Sequence, residues 1–187
     1  EASAACSEPW PDADGLVSDR GGQSLWVCGA DCTPVLLADP QTGHVAACHA
    51  GWRGVAAGIL PEAIARLEQR GADRSQLLIA LGPAVSGERY QVEESVALQV
   101  GEAVAAEPRS LEQLQRQGVI LPDSEQGRWR LDIRQAAAQQ LQSEGIDSER
   151  IRTCPLCTIA EPTLFHSWRR DQVKAVQWSG IVGQAAI

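Results

Sequence analysis

Apolar positions recur along this chain at two spacings, and the points where one gives way to the other mark the expected elements. Residues 25–28 and 35–38 are short apolar runs separated by the turn-like stretch 29–34, and they predict two strands. A turn at 39–43 leads into a third strand over 44–49, which makes a β-hairpin with the second. After Gly51 and Gly54 the spacing lengthens to about 3.6 residues. Val55, Ile59, Ile64 and Leu67 predict a helix that ends near Gly71 and is entered through or interrupted by Pro61. Residues 77–81 form a compact apolar strand stopped by Gly82 and Pro83.

Further on, Tyr90 to Val92 with Val96 and Val100 predict a helical stretch, continued over 111–117 after Pro108. Residues 118–130, with Pro122 and Gly127, predict irregular chain. A helix is expected from about 131 to 143, with Ile133, Ala137 and Leu141 on one stripe and Gly145 as its stop. Strands are expected at 151–154, 164–168 and 174–178. Residues 1–24 hold Pro9, Pro11, Asp12, Asp14, Gly15, Gly21 and Gly22 and read as a loop-rich lead-in. Strands and helices alternate, so the expected class is α/β, or mixed α+β, in one domain over 1–187.

Composition narrows the function classes. With 187 residues, 44% hydrophobic and 21% charged, the chain can bury one full core. No apolar run reaches the ~20 residues of a spanning helix, which argues against a membrane segment. The net charge of −8 repels phosphate backbones and argues against nucleic acid as a partner. Six cysteines in a chain of this size are too sparse for a disulfide scaffold, and a reducing cytoplasm is the expected compartment. Methionine is absent and the start is turn-rich, so an N-terminal piece is expected to be missing.

Candidate chemistry gathers at 44–54, His-Val-Ala-Ala-Cys-His-Ala-Gly-Trp-Arg-Gly, the seam between a strand and a helix where α/β proteins place their sites. Cys32 follows one strand and His49 ends the strand that returns beside it. A thiolate and an imidazole at that corner are two ligands of the kind zinc or copper takes, with a third still needed. The same pair would also serve as a Cys-His nucleophile for acyl transfer. Asp31 is placed to orient a ligand or act as a base, and Arg53 to hold an anion. Cys48 precedes His49, so strand alternation puts it on the opposite face, toward the core.

Two further clusters are weaker. Cys154 and Cys157 have the two-residue gap of redox and zinc motifs but lack a second pair, and strand-like surroundings favour buried or incidental thiols. His166, Arg169 and Arg170 form a basic patch that either pairs with Asp171 or lies against a phosphate or an aromatic ring.

Five blocks then carry a family resemblance: Ala-Asp-Cys-Thr-Pro-Val-Leu-Leu-Ala at 30–38, His-Ala-Gly-Trp-Arg-Gly at 49–54, Leu-Gly-Pro-Ala at 81–84 with Tyr-Gln-Val at 90–92, Cys157-Thr158, and Phe-His-Ser-Trp-Arg-Arg-Asp at 165–171. In order and spacing these resemble the YfiH/YlmD laccase-domain family, over about 12–182. The resemblance implies a layered α/β/β/α sandwich. It also implies a zinc-dependent purine nucleoside phosphorylase, with adenosine deaminase as a further activity and purine nucleoside and phosphate as its partners. Cys32 and His49 would be two of three zinc ligands, and Arg53, Tyr90 and Arg169 would hold substrate and phosphate. The family's third ligand is a histidine upstream of the block at 12–16, and this sequence has no histidine before His44; His166 is an outside candidate. A copper-dependent polyphenol oxidase, the family's older label, and a Cys-His hydrolase stand as alternatives.

Overall fold

In the computed structural model, which describes residues 12–104 and 110–184, the central feature is a five-stranded sheet ordered β1-β4-β3-β5-β9. Its strands are β1 (Gly15–Val17), β3 (Thr33–Ala38), β4 (Val45–Ala50), β5 (Leu78–Leu81) and β9 (Ile151–Thr153). β2 (Ser24–Gly29) pairs antiparallel with β10 (Gln177–Val182) as a separate two-stranded sheet. A third, small sheet holds β6 (Gln91–Glu93), β7 (Ile120–Pro122) and β8 (Arg128–Leu131), ordered β6-β8-β7. The first eleven residues of the expected lead-in, with Cys6, and the break expected at Pro108 lie outside the described residues.

β4 is central because both of its faces are apolar and small. Ala46, Cys48 and Ala50 join the main core, which continues into the helices, whereas Val45 and Ala47 pack with Leu25 and Val27 of the two-stranded sheet. Two layers therefore clasp one strand, as expected of a strand buried on both faces. Cys48 is fully buried on the helix side, as alternation predicted. On the opposite side the two-stranded sheet presents Trp26 and Trp178 outward, 54% and 62% exposed.

The main core is roofed by α1 (Trp52–Ala56), α2 (Ile59–Glu68), α3 (Glu94–Ala103) and α5 (Ile133–Ser143). The helix expected after Gly54 is in fact two. The break falls at Gly58, whose φ of 75° only glycine adopts without strain. Pro61 lies in the first turn of α2, where a missing N–H costs nothing. α5 is capped by Asp132, whose carboxylate accepts from the N–H groups of Arg134 and Gln135.

Several expectations are corrected here. Gln91–Glu93 is a strand rather than the start of a helix, because it pairs with β8. Residues 118–130 contain β7 and β8, a hairpin whose turn uses Gly127 at φ 76°. α4 (Leu111–Arg116) is a separate helix with its own capping box on Ser110 and Gln113. Residues 164–168 are not a strand: turns lead into a short helix, α6 (Trp168–Asp171), capped by Ser167. The last strand lies at Gln177–Val182, shifted from the expected 174–178.

Candidate active site

Antiparallel pairing of β3 with β4 sets Thr33 opposite Ala50 and Pro34 opposite His49. Cys32, one residue before β3, is thereby carried to the end of the strand that holds His49. Gly51 sits between them: a methyl group there would lie 2.8 Å from the Cys32 sulfur and 3.7 Å from Cε1 of His49. The glycine is required by the approach of these two side chains, since its backbone is extended, with φ −75°.

His49 Nδ1 stands 3.2 Å from the carboxylate of Asp14, and the His49 N–H donates to the Asp14 carbonyl at 2.7 Å. Such a carboxylate fixes the ring orientation and leaves the other nitrogen for a ligand. Asp14 was not among the expected site residues, although it stands in the stretch 12–16 that follows the family's third-ligand histidine. Burial first, and then the carboxylates of Asp31 and Asp14, push the Cys32 thiol up to about 11, with Arg53 pulling the other way. A thiol raised this far is the opposite of an activated nucleophile.

A pocket opens on this corner, lined by Asp31, Cys32, Trp52, Tyr90, Trp168 and Arg169, among others. The Arg53 guanidinium lies 4.4 Å from the centre of the Trp52 ring, and that of Arg169 lies 5.1 Å from the centre of the Tyr90 ring. Burial first, and then the negative charge of Cys32 and Asp31, push the Tyr90 hydroxyl up to about 12 against the pull of both arginines. At neutral pH it is a hydrogen-bond donor. Trp52, within the candidate stretch 44–54, and Trp168, beside the basic patch, add flat aromatic surface to the pocket.

Asp31 is 8% exposed and its φ is 96°, a left-handed backbone unusual for a residue with a side chain. Its Oδ1 accepts from the Thr158 hydroxyl at 2.6 Å and its Oδ2 from the Arg169 N–H at 2.7 Å. Thr158 is fully buried. The remaining candidates lie elsewhere. His166 is exposed and its backbone N–H donates to Gln177 Oε1, on a segment away from Cys32 and His49. Arg170 is spent on structure, with its fork on Asp171 at 2.7 Å and on the carbonyls of Thr158, Ile159 and Phe165. Cys154 and Cys157 are free thiols. Burial raises Cys157, but donors from Ser86, Ala160 and Ile159 outweigh it and leave the thiol below its usual value.

Cys32 and His49 fit zinc or copper as a borderline-soft pair of donors. Among the described residues no group of three His, Cys, Asp or Glu side chains is arranged to hold a metal ion. His44, the third histidine of the chain, lies instead near the Ser18 hydroxyl, 3.4 Å away. No helix among the described residues is long and apolar enough to cross a membrane.

Layered sheets and helices, with a cysteine and a histidine brought to one corner beside a pocket that Tyr90 and Arg169 also line, define an α/β protein of the laccase-domain type. The chain belongs to the family described as multi-copper polyphenol oxidoreductase laccase, which matches residues 1–183. It is 44% identical over 180 residues to the purine nucleoside phosphorylase slr1573 of Synechocystis, covering 92% of this chain and 68% of that protein. It is 32% identical to the purine nucleoside phosphorylase YlmD of Bacillus subtilis, covering 91% of this chain and 58% of that one. The crystal structure of YlmD from Geobacillus stearothermophilus superposes with a TM-score of 0.83 at 29% identity, over 94% of this chain and 62% of that one. The chain thus spans about three fifths to two thirds of the length of the proteins it matches.

Proposed function

We propose that this chain carries the site of a metal-dependent purine nucleoside phosphorylase, converting adenosine, inosine or guanosine and phosphate to the free base and ribose 1-phosphate. The observation that carries the reading is the pocket itself: aromatic walls at Trp52 and Trp168, the Tyr90 hydroxyl and Arg169 beside Cys32, with Arg53 stacked on Trp52 next to it. The names of slr1573 and YlmD support it.

Phosphorolysis breaks the bond between ribose C1′ and the base nitrogen and forms a bond from C1′ to a phosphate oxygen, while the departing base takes up a proton. In this reading Arg53 and Arg169 hold the phosphate dianion, which guanidinium forks suit by charge and geometry. Tyr90 donates to a substrate oxygen, and the indoles of Trp52 and Trp168 face the purine ring. Burial of the pocket floor keeps water from competing with phosphate at C1′. Cys32 and His49, with a further donor, would hold zinc, and that metal when bound would supply Lewis-acid polarisation and activation of water, which also suits deamination of adenosine. Cytoplasmic residence accords with the free thiols at Cys28, Cys32, Cys48, Cys154 and Cys157.

The test is a coupled assay with the nucleoside, phosphate and zinc. Ribose 1-phosphate and free base are expected from adenosine or inosine, and inosine from adenosine where deamination occurs. Absence of ribose 1-phosphate with every purine nucleoside sinks the phosphorylase reading.

A further inference from the structure

Cys32 is placed in the pocket by the strand ladder of β3 and β4, whereas Arg169 has no ladder behind it. Arg169 sits in a four-residue helix, too short to position anything by itself. Its guanidinium contacts are weak ones: the Gln91 carbonyl at 3.2 Å and the Tyr90 ring at 5.1 Å. What holds its backbone is Asp31, 138 residues earlier in the chain and directly before Cys32.

We propose that Asp31 and Thr158 are a positioning pair that fixes the distance between Cys32 and Arg169, and so between the metal side and the anion side of the pocket. This rests on the reading of Arg169 as a phosphate-binding residue. Three observations point to positioning rather than to proton transfer. Both carboxylate oxygens of Asp31 already accept short hydrogen bonds from protein donors. Its side chain is almost wholly buried. Its own carbonyl is held by the Val85 N–H at 3.0 Å, which locks the residue in its left-handed conformation. A general base must present a free lone pair to the substrate, whereas Asp31 turns its lone pairs toward Thr158 and Arg169.

Thr158 is the second half of the device. Its N–H donates to the Ala84 carbonyl at 3.1 Å and its carbonyl accepts from Arg170 at 2.7 Å. The hydroxyl is thus aimed at Asp31 from a backbone anchored on two sides. A buried carboxylate with two good donors is stable in one orientation; with one donor it is costly and turns toward any other partner. Removing the hydroxyl therefore loosens the link from Asp31 to Arg169 while leaving Cys32, His49 and the Arg169 guanidinium chemically unchanged.

The experiment uses Thr158→Val, which keeps the shape and deletes the donor, and Thr158→Ser, which restores a donor. Amide exchange over residues 165–172 is measured by mass spectrometry, and KM is measured separately for phosphate and for nucleoside. Thr158→Val is expected to speed exchange over 165–172 by about ten-fold and to raise the KM for phosphate by a similar factor, with the nucleoside KM changed less than about two-fold. Thr158→Ser is expected to return both toward wild type. Wild-type exchange and phosphate KM in Thr158→Val overturn the proposal. So does an equal rise in both KM values that serine does not rescue, which is the behaviour of a merely structural residue. If the wild-type chain has no phosphorolysis, the phosphate reading of Arg169 fails, and the exchange contrast between valine and serine still decides the pair. Should Thr158→Val not fold, Asp31→Asn carries the same comparison.

Discussion

The corner formed by β3 and β4 and the segment 154–171 reach the same pocket by opposite means. Cys32 and His49 inherit their places from a six-residue antiparallel ladder in the middle of a sheet, buried on both faces. The segment that brings Arg169 has no ladder beyond one bridge, between Ala84 and Cys157. It is held by clasps from side chain to backbone: Arg134 on the carbonyls of Cys154 and Leu156, Arg170 on those of Thr158, Ile159 and Phe165, and the Cys157 sulfur on the Ser86 N–H. In a ladder many bonds share the work, so one loss is diluted and the whole sheet responds. In a clasped turn each bond acts almost alone, so its loss is local and large where it falls.

The sharpest way to break that contrast is to damage the sheet itself. Leu37 of β3 is fully buried in the main core, and Leu37→Ala removes three carbons from a site with little room to collapse. About 3 kcal/mol of global stability is expected to go, lowering Tm by roughly 6 to 12 °C. Exchange should rise at the corner and in 154–171 alike. Loss confined to the corner would show that the two regions are not carried by one core.

Gly51→Ala tests the corner alone. The new methyl would stand 2.8 Å from the Cys32 sulfur, so the thiol must move. The cost is about 2 kcal/mol, with bound zinc falling well below that of the wild type in elemental analysis. Full zinc occupancy in a well-folded Gly51→Ala chain would remove Cys32 from the ligand set. Asp14→Asn is milder, because the ladder still holds His49 and only the partner of its Nδ1 changes. Zinc affinity is expected to weaken about ten-fold, measured by competition with a chromophoric chelator. Unchanged affinity would make the Asp14 contact incidental.

The same contrast explains what could be read from the sequence. β3, β4 and α5 were legible because their apolar periodicity reports real burial, and the Cys32–His49 juxtaposition followed from the hairpin. Residues 164–168 were misread as a strand because Leu164 and Trp168 are apolar yet exposed, so hydrophobicity there does not report burial. The small sheet of β6, β7 and β8 was hidden by its half-buried Arg128, Trp129 and Arg130 and by Pro122 at its edge. The bond from Thr158 to Asp31 spans 127 residues, and no local pattern encodes a contact between two loops. Asp14 stands directly before β1, a strand inside the stretch expected to be a loop-rich lead-in, and the pairing of its neighbour Gly15 with Cys48 carries it to His49.

The smallest effect separates clasp from ladder most cleanly. Ser167 is buried, and its hydroxyl caps α6 by accepting from the Arg170 N–H at 3.2 Å. Ser167→Ala is expected to cost about 1 kcal/mol, visible as faster exchange over 167–171. Tm should fall only slightly, and exchange in β3 and β4 should stay at wild-type levels, because no ladder bond depends on this cap. If instead protection were lost at Cys32 and His49 as well, the coupling through Asp31 would be strong enough to pull on the strands. The two regions would then be one cooperative unit rather than a rigid frame with a clasped arm.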